Sequence, residues 1–305
     1  MSLLEALRAV TSFTPPPALP DCDLDLLGDV LEAHGLAPLA SYQLEHTRLG
    51  AGVPSALRER LLGHYQGVAN DNVLKLVTLR GLLRDAPDVP VVLLEGAAYV
   101  DWIYPHLAFR PVGDLRIAVR AGDGGRLAES VAPGFRVDRT DHGGRTAVLS
   151  DGRLSVAMQE GLWPGGPEDA RLFERAVARP AFGPMASRPS AEDALLAAVA
   201  DQALLGLLAP LVTFVDVREL VRLEPDPAVV LERAGSLGLS RALHGSMRLV
   251  ARFFPDVAAL SERLRPELSL AERVAVDGVV EAASDPARLR YLRGVDAVAR
   301  RIVAP

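Results

Sequence analysis

The sequence predicts an α/β (α+β) fold: a mixed sheet flanked by N-terminal helices and followed by a C-terminal helical domain. Three observations predict it. Apolar residues recur at helical spacing up to Leu83. From Val89 to about residue 160 the pattern becomes short β-branched runs punctuated by glycine and proline. After Ser190 helical spacing returns. The expected segments are 1–88, 89–165 and 166–305, and a chain of 305 residues suits about two domains.

The elements follow in order. Ser2 to Val10 reads as a short helix, broken by Pro15, Pro16, Pro17 and Pro20. Leu24, Leu27, Val30 and Leu31 define a second helix within Asp23 to His34, and Leu36 to Leu49 a third. Ser55 to Leu83 is the longest, with Gly63 and Gly67 as places where it could bend or divide. Strands are expected at Val89–Leu94, Asp114–Val119, Phe135–Thr140, Arg145–Ser150 and Arg153–Gln159. Helices are expected at Gly96–Tyr104 and Leu127–Val131. Asp151-Gly152, between two alternating runs, is the best hairpin signal. Trp163 to Pro189 is rich in glycine and proline and reads as a linker. Helix starts are marked by Ser190 with Asp193, by Ser269 with Glu272, and by an aspartate before proline at Asp226-Pro227 and Asp285-Pro286.

Composition narrows the function classes. Apolar residues make up 49% of the chain, enough for a core, so wholesale disorder is not expected. The net charge of −6 and the absence of any lysine- or arginine-rich run give no strong nucleic-acid signal. The single cysteine, Cys22, excludes an intrachain disulfide and suits a reducing, cytoplasmic setting. The first fourteen residues contain Glu5 and Arg8 and do not read as a secretory signal. The most apolar stretch, 194–217, is interrupted by Asp201, Gln202, Pro210 and Asp216, so it reads as buried helices and not as a membrane span. None of the six histidines has zinc-ligand spacing, and Asp141-His142 falls in a turn.

The chemistry concentrates between Val91 and Val119. A strand runs into Glu95-Gly96-Ala97-Ala98, then come Tyr104-Pro105 and Arg110-Pro111-Val112-Gly113-Asp114-Leu115-Arg116, then a second strand. This order resembles a bacterial nucleotidyltransferase family. Its pattern is strand, Lys-Gly-Ala-Ala/Ser, helix, Tyr-Pro, Arg-Pro-x-Gly/Ser-Asp-x-Asp, strand. Ala69-Asn70, the strand at Leu154 to Leu162, the helical stretch Glu192 to Leu220 ending VDVREL, and a helix pair over Ala234 to Phe254 extend the likeness across about residues 30–255.

The resemblance implies transfer of a nucleotidyl group from an NTP, with Mg²⁺ clamping the phosphates. Magnesium takes hard oxygen ligands, and two aspartates at i and i+2 on a strand share a face. Asp114 falls where the first metal carboxylate belongs, and Arg116 where the second belongs. Ala157 takes the position of the third acid, Gln159 that of the family's histidine, and Glu95 that of its lysine. Gly96, Arg110, Gly113 and Asp114 are retained. Glu95, Gly96, Arg110 and Gly113 are the candidate nucleotide-binding residues, Asp114 is the candidate catalytic and metal residue, and Arg116 is its degenerate partner. Gly96 and Gly113 are expected to permit close backbone approach, Arg110 with Arg116 could form an anion site, and Arg116 could instead pair with Asp114 or Glu95. Asp193, Asp201 and Asp216 could line a cleft or serve capping and interdomain bonds.

Three functions remain open. One is a degenerate transferase homologue that binds a nucleotide-like small molecule or a partner protein. Another is an active transferase using Mg²⁺ and NTP, with Glu95 or Asp138 as new acidic helpers. The third is a structural interaction module.

Overall fold

The computed structural model describes residues 3–86, 88–167, 169–284 and 297–305. The expected start at Asp285-Pro286 lies outside them. The chain forms two compact units that interleave along the sequence. One unit draws on residues 1–69, 103–111 and 198–305, the other on 70–102 and 112–197.

The second unit holds one mixed sheet. Its strands are β1 (Val91–Leu94), β2 (Leu115–Val119), β3 (Arg136–Asp141), β4 (Thr146–Ser150), β5 (Ser155–Glu160), β6 (Val177–Ala178) and β7 (Ala186–Arg188). They lie in the order β3-β4-β5-β2-β1-β7-β6. β1 is antiparallel to β2 and parallel to β7, while β2 is parallel to β5. β1 is buried at all four positions, which is why it reads as an unbroken apolar run with no alternation. In β2 the pattern is buried, half-buried, then buried, with Leu115 and Ile117 in the core and Arg116 at the opposite face. The Asp151-Gly152 turn forms as expected. The Asp151 carboxylate accepts from the backbone N–H groups of Arg153 (2.8 Å) and Leu154 (2.7 Å), Gly152 takes φ 87°, and those bonds hold the carboxyl below its usual range.

The glycine- and proline-rich stretch expected to be a linker is partly sheet. β7 adds beside β1 through Val91↔Ala186 and Val92↔Ser187, and the Ser187 hydroxyl donates to the Val91 carbonyl at 3.0 Å. Strands of two and three residues, set among Pro180, Pro184 and Pro189, carry no readable alternation. A short helix, α7 (Arg171–Arg175), lies in the same stretch, after α5 (Glu95–Tyr99) and α6 (Gly124–Val131) earlier in the unit. α5 is shorter than the expected Gly96–Tyr104.

The first unit is helical. It contains α1 (Leu3–Thr11), α2 (Leu24–Ala33), α3 (Ala37–His46), α9 (Leu211–Arg222), α10 (Pro227–Ser236), α11 (Ser240–Phe253), α12 (Ala258–Arg263), α13 (Leu270–Ala283) and α14 (Ala297–Val303). α11 packs on α9, α12, α13 and α14. Asp226 caps α10 through the Ala228 N–H at 2.9 Å, with Pro227 at the first helical position. Ser269 and Glu272 close a reciprocal capping box on α13. α2 is tied to α9 where the Leu211 N–H donates to His34 Nδ1 at 3.0 Å.

Two helices run through both units: α4 (Ser55–Asp85) and α8 (Ala191–Leu204). α4 continues past Gly63 and Gly67 without a break; both sites face open space, so they impose no bend. Among the described residues no helix is long and apolar enough to cross a membrane.

Candidate functional site

Four strands of the sheet carry the site on one face. Register places Arg116 beside Ala157, Ala157 beside Val148, and Val148 beside Arg139. The next row is Ala118, Gln159, Thr146 and Asp141. Residues paired across strands share a face, so these rows form one surface, with Asp114 immediately before β2. A cleft of about 180 Å³ opens over it, lined by Asp114, Arg116, Arg139, His142, Thr146 and Gln159 among others. At about 4.8 Å per strand, Arg116 and Arg139 stand roughly 14 Å apart across the small Ala157.

Arg116 does not pair with Asp114. Its Nη1 donates to Glu95 Oε1, and both side chains are about three-quarters buried, with relative exposures of 25% and 23%. The geometry follows from the sheet: Leu94, the last residue of β1, pairs with Arg116, so Glu95 begins α5 directly beside it. Glu95 adopts φ 47°, a left-handed conformation that costs a non-glycine residue about 1–3 kcal/mol. Gly96 lies buried inside α5 with no left-handed φ, and the unusual backbone belongs to its neighbour. At Gly113 a Cβ would meet nothing within 4 Å, and its φ is not left-handed. Asp114 is exposed.

Arg110 belongs to the helical unit. Its guanidinium grips Asp216 of α9, with Nη2 2.9 Å from Oδ2 and Nε 3.2 Å from each carboxylate oxygen, while Nη1 donates to the Pro111 carbonyl at 2.8 Å. Tyr104 donates to Asp216 Oδ1 at 2.6 Å. Both ends of the ion pair are buried. Burial, aided by the Asp216 charge, raises the Tyr104 phenol well above its usual range. The retained Arg110 is therefore locked into a buried structural network within the helical unit. Asp193, fully buried at the start of α8, is bound by Arg175 Nε at 2.9 Å, and Arg175 also reaches Asp169 at 2.7 Å.

Of the other candidates, Asp138 lies on the exposed edge strand and pairs with Arg136 at 2.8 Å. The Asp141 carboxylate accepts from the His142 backbone N–H at 2.7 Å, which orders a turn and does not make a side-chain dyad. His142 is also left-handed, at φ 52°. Gln159, 1% exposed, donates through Nε2 to the Gly161 carbonyl at 3.2 Å, and its Oε1 has no hydrogen-bond partner among the described residues. Sequence reading missed Arg139, Thr146 and Val148 as parts of the cleft. The available signal was the alternation in the two hairpin strands, which becomes informative only once their register is known.

The sheet, the Asp114–Arg116 strand beside the Glu95 turn, and the helical stretches together define a nucleotidyltransferase-like fold. Residues 20–255 match the family described as uncharacterised nucleotidyltransferase, and the chain belongs to that family. No curated protein and no solved structure gives a match.

Proposed function

We propose that this chain is a catalytically degenerate nucleotidyltransferase that works by binding a nucleotide-like ligand or a partner protein. The observation that carries the reading is the Arg116–Glu95 ion pair at the metal platform. The donor set does not fit Mg²⁺. Asp114 supplies one carboxylate, Arg116 brings a cation to the second position, and Ala157, beside it in register, supplies none. Among the described residues no group of three or more His, Cys, Asp or Glu could hold a metal ion. Two like charges about 4 Å apart repel by about 4 kcal/mol at an effective dielectric near 20, enough to weaken a cation site about a thousandfold. Glu95 is committed to Arg116, and Asp138 lies outside the cleft lining, so neither supports the alternative of a rearranged active site.

Calorimetry with ATP, CTP, GTP and UTP, with and without Mg²⁺, tests this. Binding of a nucleotide is expected to be indifferent to Mg²⁺, with no pyrophosphate released. Magnesium-dependent binding with pyrophosphate release would overturn the reading. R116D places a second carboxylate beside Asp114 and is expected to gain Mg²⁺ binding in about the millimolar range, seen by titration of the metal alone.

A further inference from the structure

The helical unit contains a second cavity, of about 340 Å³, whose wall includes Glu5, Arg8, Thr14, Pro16, Arg218 and Phe254. Much of that wall precedes residue 20, where the family match begins, so the cavity is not the family's own site. Its distinctive member is Arg218, 1% exposed and among the largest fully buried side chains of the protein. The guanidinium lies 5.5 Å from the Phe13 ring centre and 4.7 Å from that of Phe254. Nε donates to Glu219 at 2.6 Å and Nη2 to the Thr11 carbonyl at 2.7 Å. Nη1 donates to no acceptor among the described residues, and it is not one of the nitrogens sealed from solvent.

The local acids are shared among several guanidinium groups. Glu219 serves two guanidinium groups, since Arg222 donates to the same Oε1 at 2.7 Å. Arg8 donates to the Phe253 carbonyl (2.8 Å) and the Arg252 carbonyl (2.5 Å), so it caps the end of α11 and meets only neutral acceptors there. Against Arg8, Arg218 and Arg222 stand Glu5, Glu219 and Asp256, so the charges around the cavity balance and the unfilled position is the Arg218 Nη1 donor itself. Burying an arginine without a full set of acceptors is costly, and a ligand oxygen at Nη1 would complete the set.

We infer that this cavity binds a small organic carboxylate, its oxygens received by Arg218 Nη1 and Arg8 and its apolar body laid against Phe254, Pro16 and Pro255. Carboxylate matches the planar guanidinium edge, and the apolar walls favour a short hydrocarbon or aromatic body over a bare inorganic anion.

The test is side-chain NMR of the full chain labelled with ¹⁵N-arginine. Titration with benzoate and with hexanoate is expected to move the Arg218 Nε–Hε signal saturably, with an affinity of about millimolar for molecules this small. T14W fills the exposed mouth of the cavity without touching the buried guanidinium, and it is expected to weaken benzoate binding at least about tenfold with unchanged circular dichroism. R218K, which removes the planar donor edge, is expected to do the same where it folds. Three results would sink the inference: no saturable shift with either carboxylate, a T14W titration that matches the wild type, or inorganic phosphate saturating the site as well as benzoate does.

Discussion

At the residue scale, charges that sequence reading assigns to ligands are largely spent on one another. Arg110 and Asp216 are both buried, so removing one leaves the other unpaired in a poor solvent. R110M is expected to cost about 3–5 kcal/mol in urea unfolding, and Y104F, which removes one donor to the same carboxylate, about 2 kcal/mol. A second residue-scale effect is titration. His244 is 4% exposed, with Nδ1 3.3 Å from the Pro266 carbonyl and Nε2 3.7 Å from Asp277. Burial holds its imidazole below the usual range; Arg265 and Arg248 push the same way, and the Pro266 carbonyl and Asp277 oppose them. The unfolded imidazole therefore takes up its proton first as pH falls. The associated stability is intact above about pH 6.5 and is lost below it. Urea midpoints of the wild type are expected to drop between about pH 7 and pH 5.5, and H244Q to drop less. The sequence showed Arg116 where a carboxylate belongs, but not which acid would answer it. Asp114 is the nearer in sequence, whereas Glu95 is 21 residues away, and only the β1–β2 register puts Glu95 alongside. Asp216, Arg218 and Glu219, three charges in an apolar helix, were a visible sign of a buried network whose partners no spacing rule could name.

At the element scale, the strongest signals were those with a local cause. Asp151-Gly152, the Ser269–Glu272 box and the Asp226-Pro227 start all form because the bonds that define them span two or three residues. S269A is expected to cost about 1 kcal/mol and to speed amide exchange in the first turn of α13. The weak signals were elements whose reason lies elsewhere in the chain. β7 exists because β1 offers it an open edge, and a three-residue run cannot announce that. The turn after β5 shows a different local constraint. Gly161 has φ 90°, and a Cβ there would meet the Pro167 carbonyl oxygen at 2.6 Å. G161A is expected to destabilise by at least about 2 kcal/mol, since strain and collision act together.

At the scale of the whole molecule, the sheet and the helical segments were legible as classes, whereas their assembly was not. Reading along a chain yields consecutive blocks, here cut at 88 and 165, while contacts gather residues 1–69, 103–111 and 198–305 into one unit and the rest into the other. A fragment spanning 89–165 would carry β1 to β5 but lack β7, the parallel neighbour of β1. It is expected to show no cooperative thermal unfolding by circular dichroism, whereas the full chain does. The sheet also ends on β3, an edge strand exposed at all six positions. Its sequence, Arg-Val-Asp-Arg-Thr-Asp, sets charges of both signs along a ladder that could otherwise recruit another strand, and its register breaks between Val137 and Arg139. An irregular border bristling with alternating ions is a poor template for self-association, so the rim beside the cleft can stay open to water without inviting fibre growth.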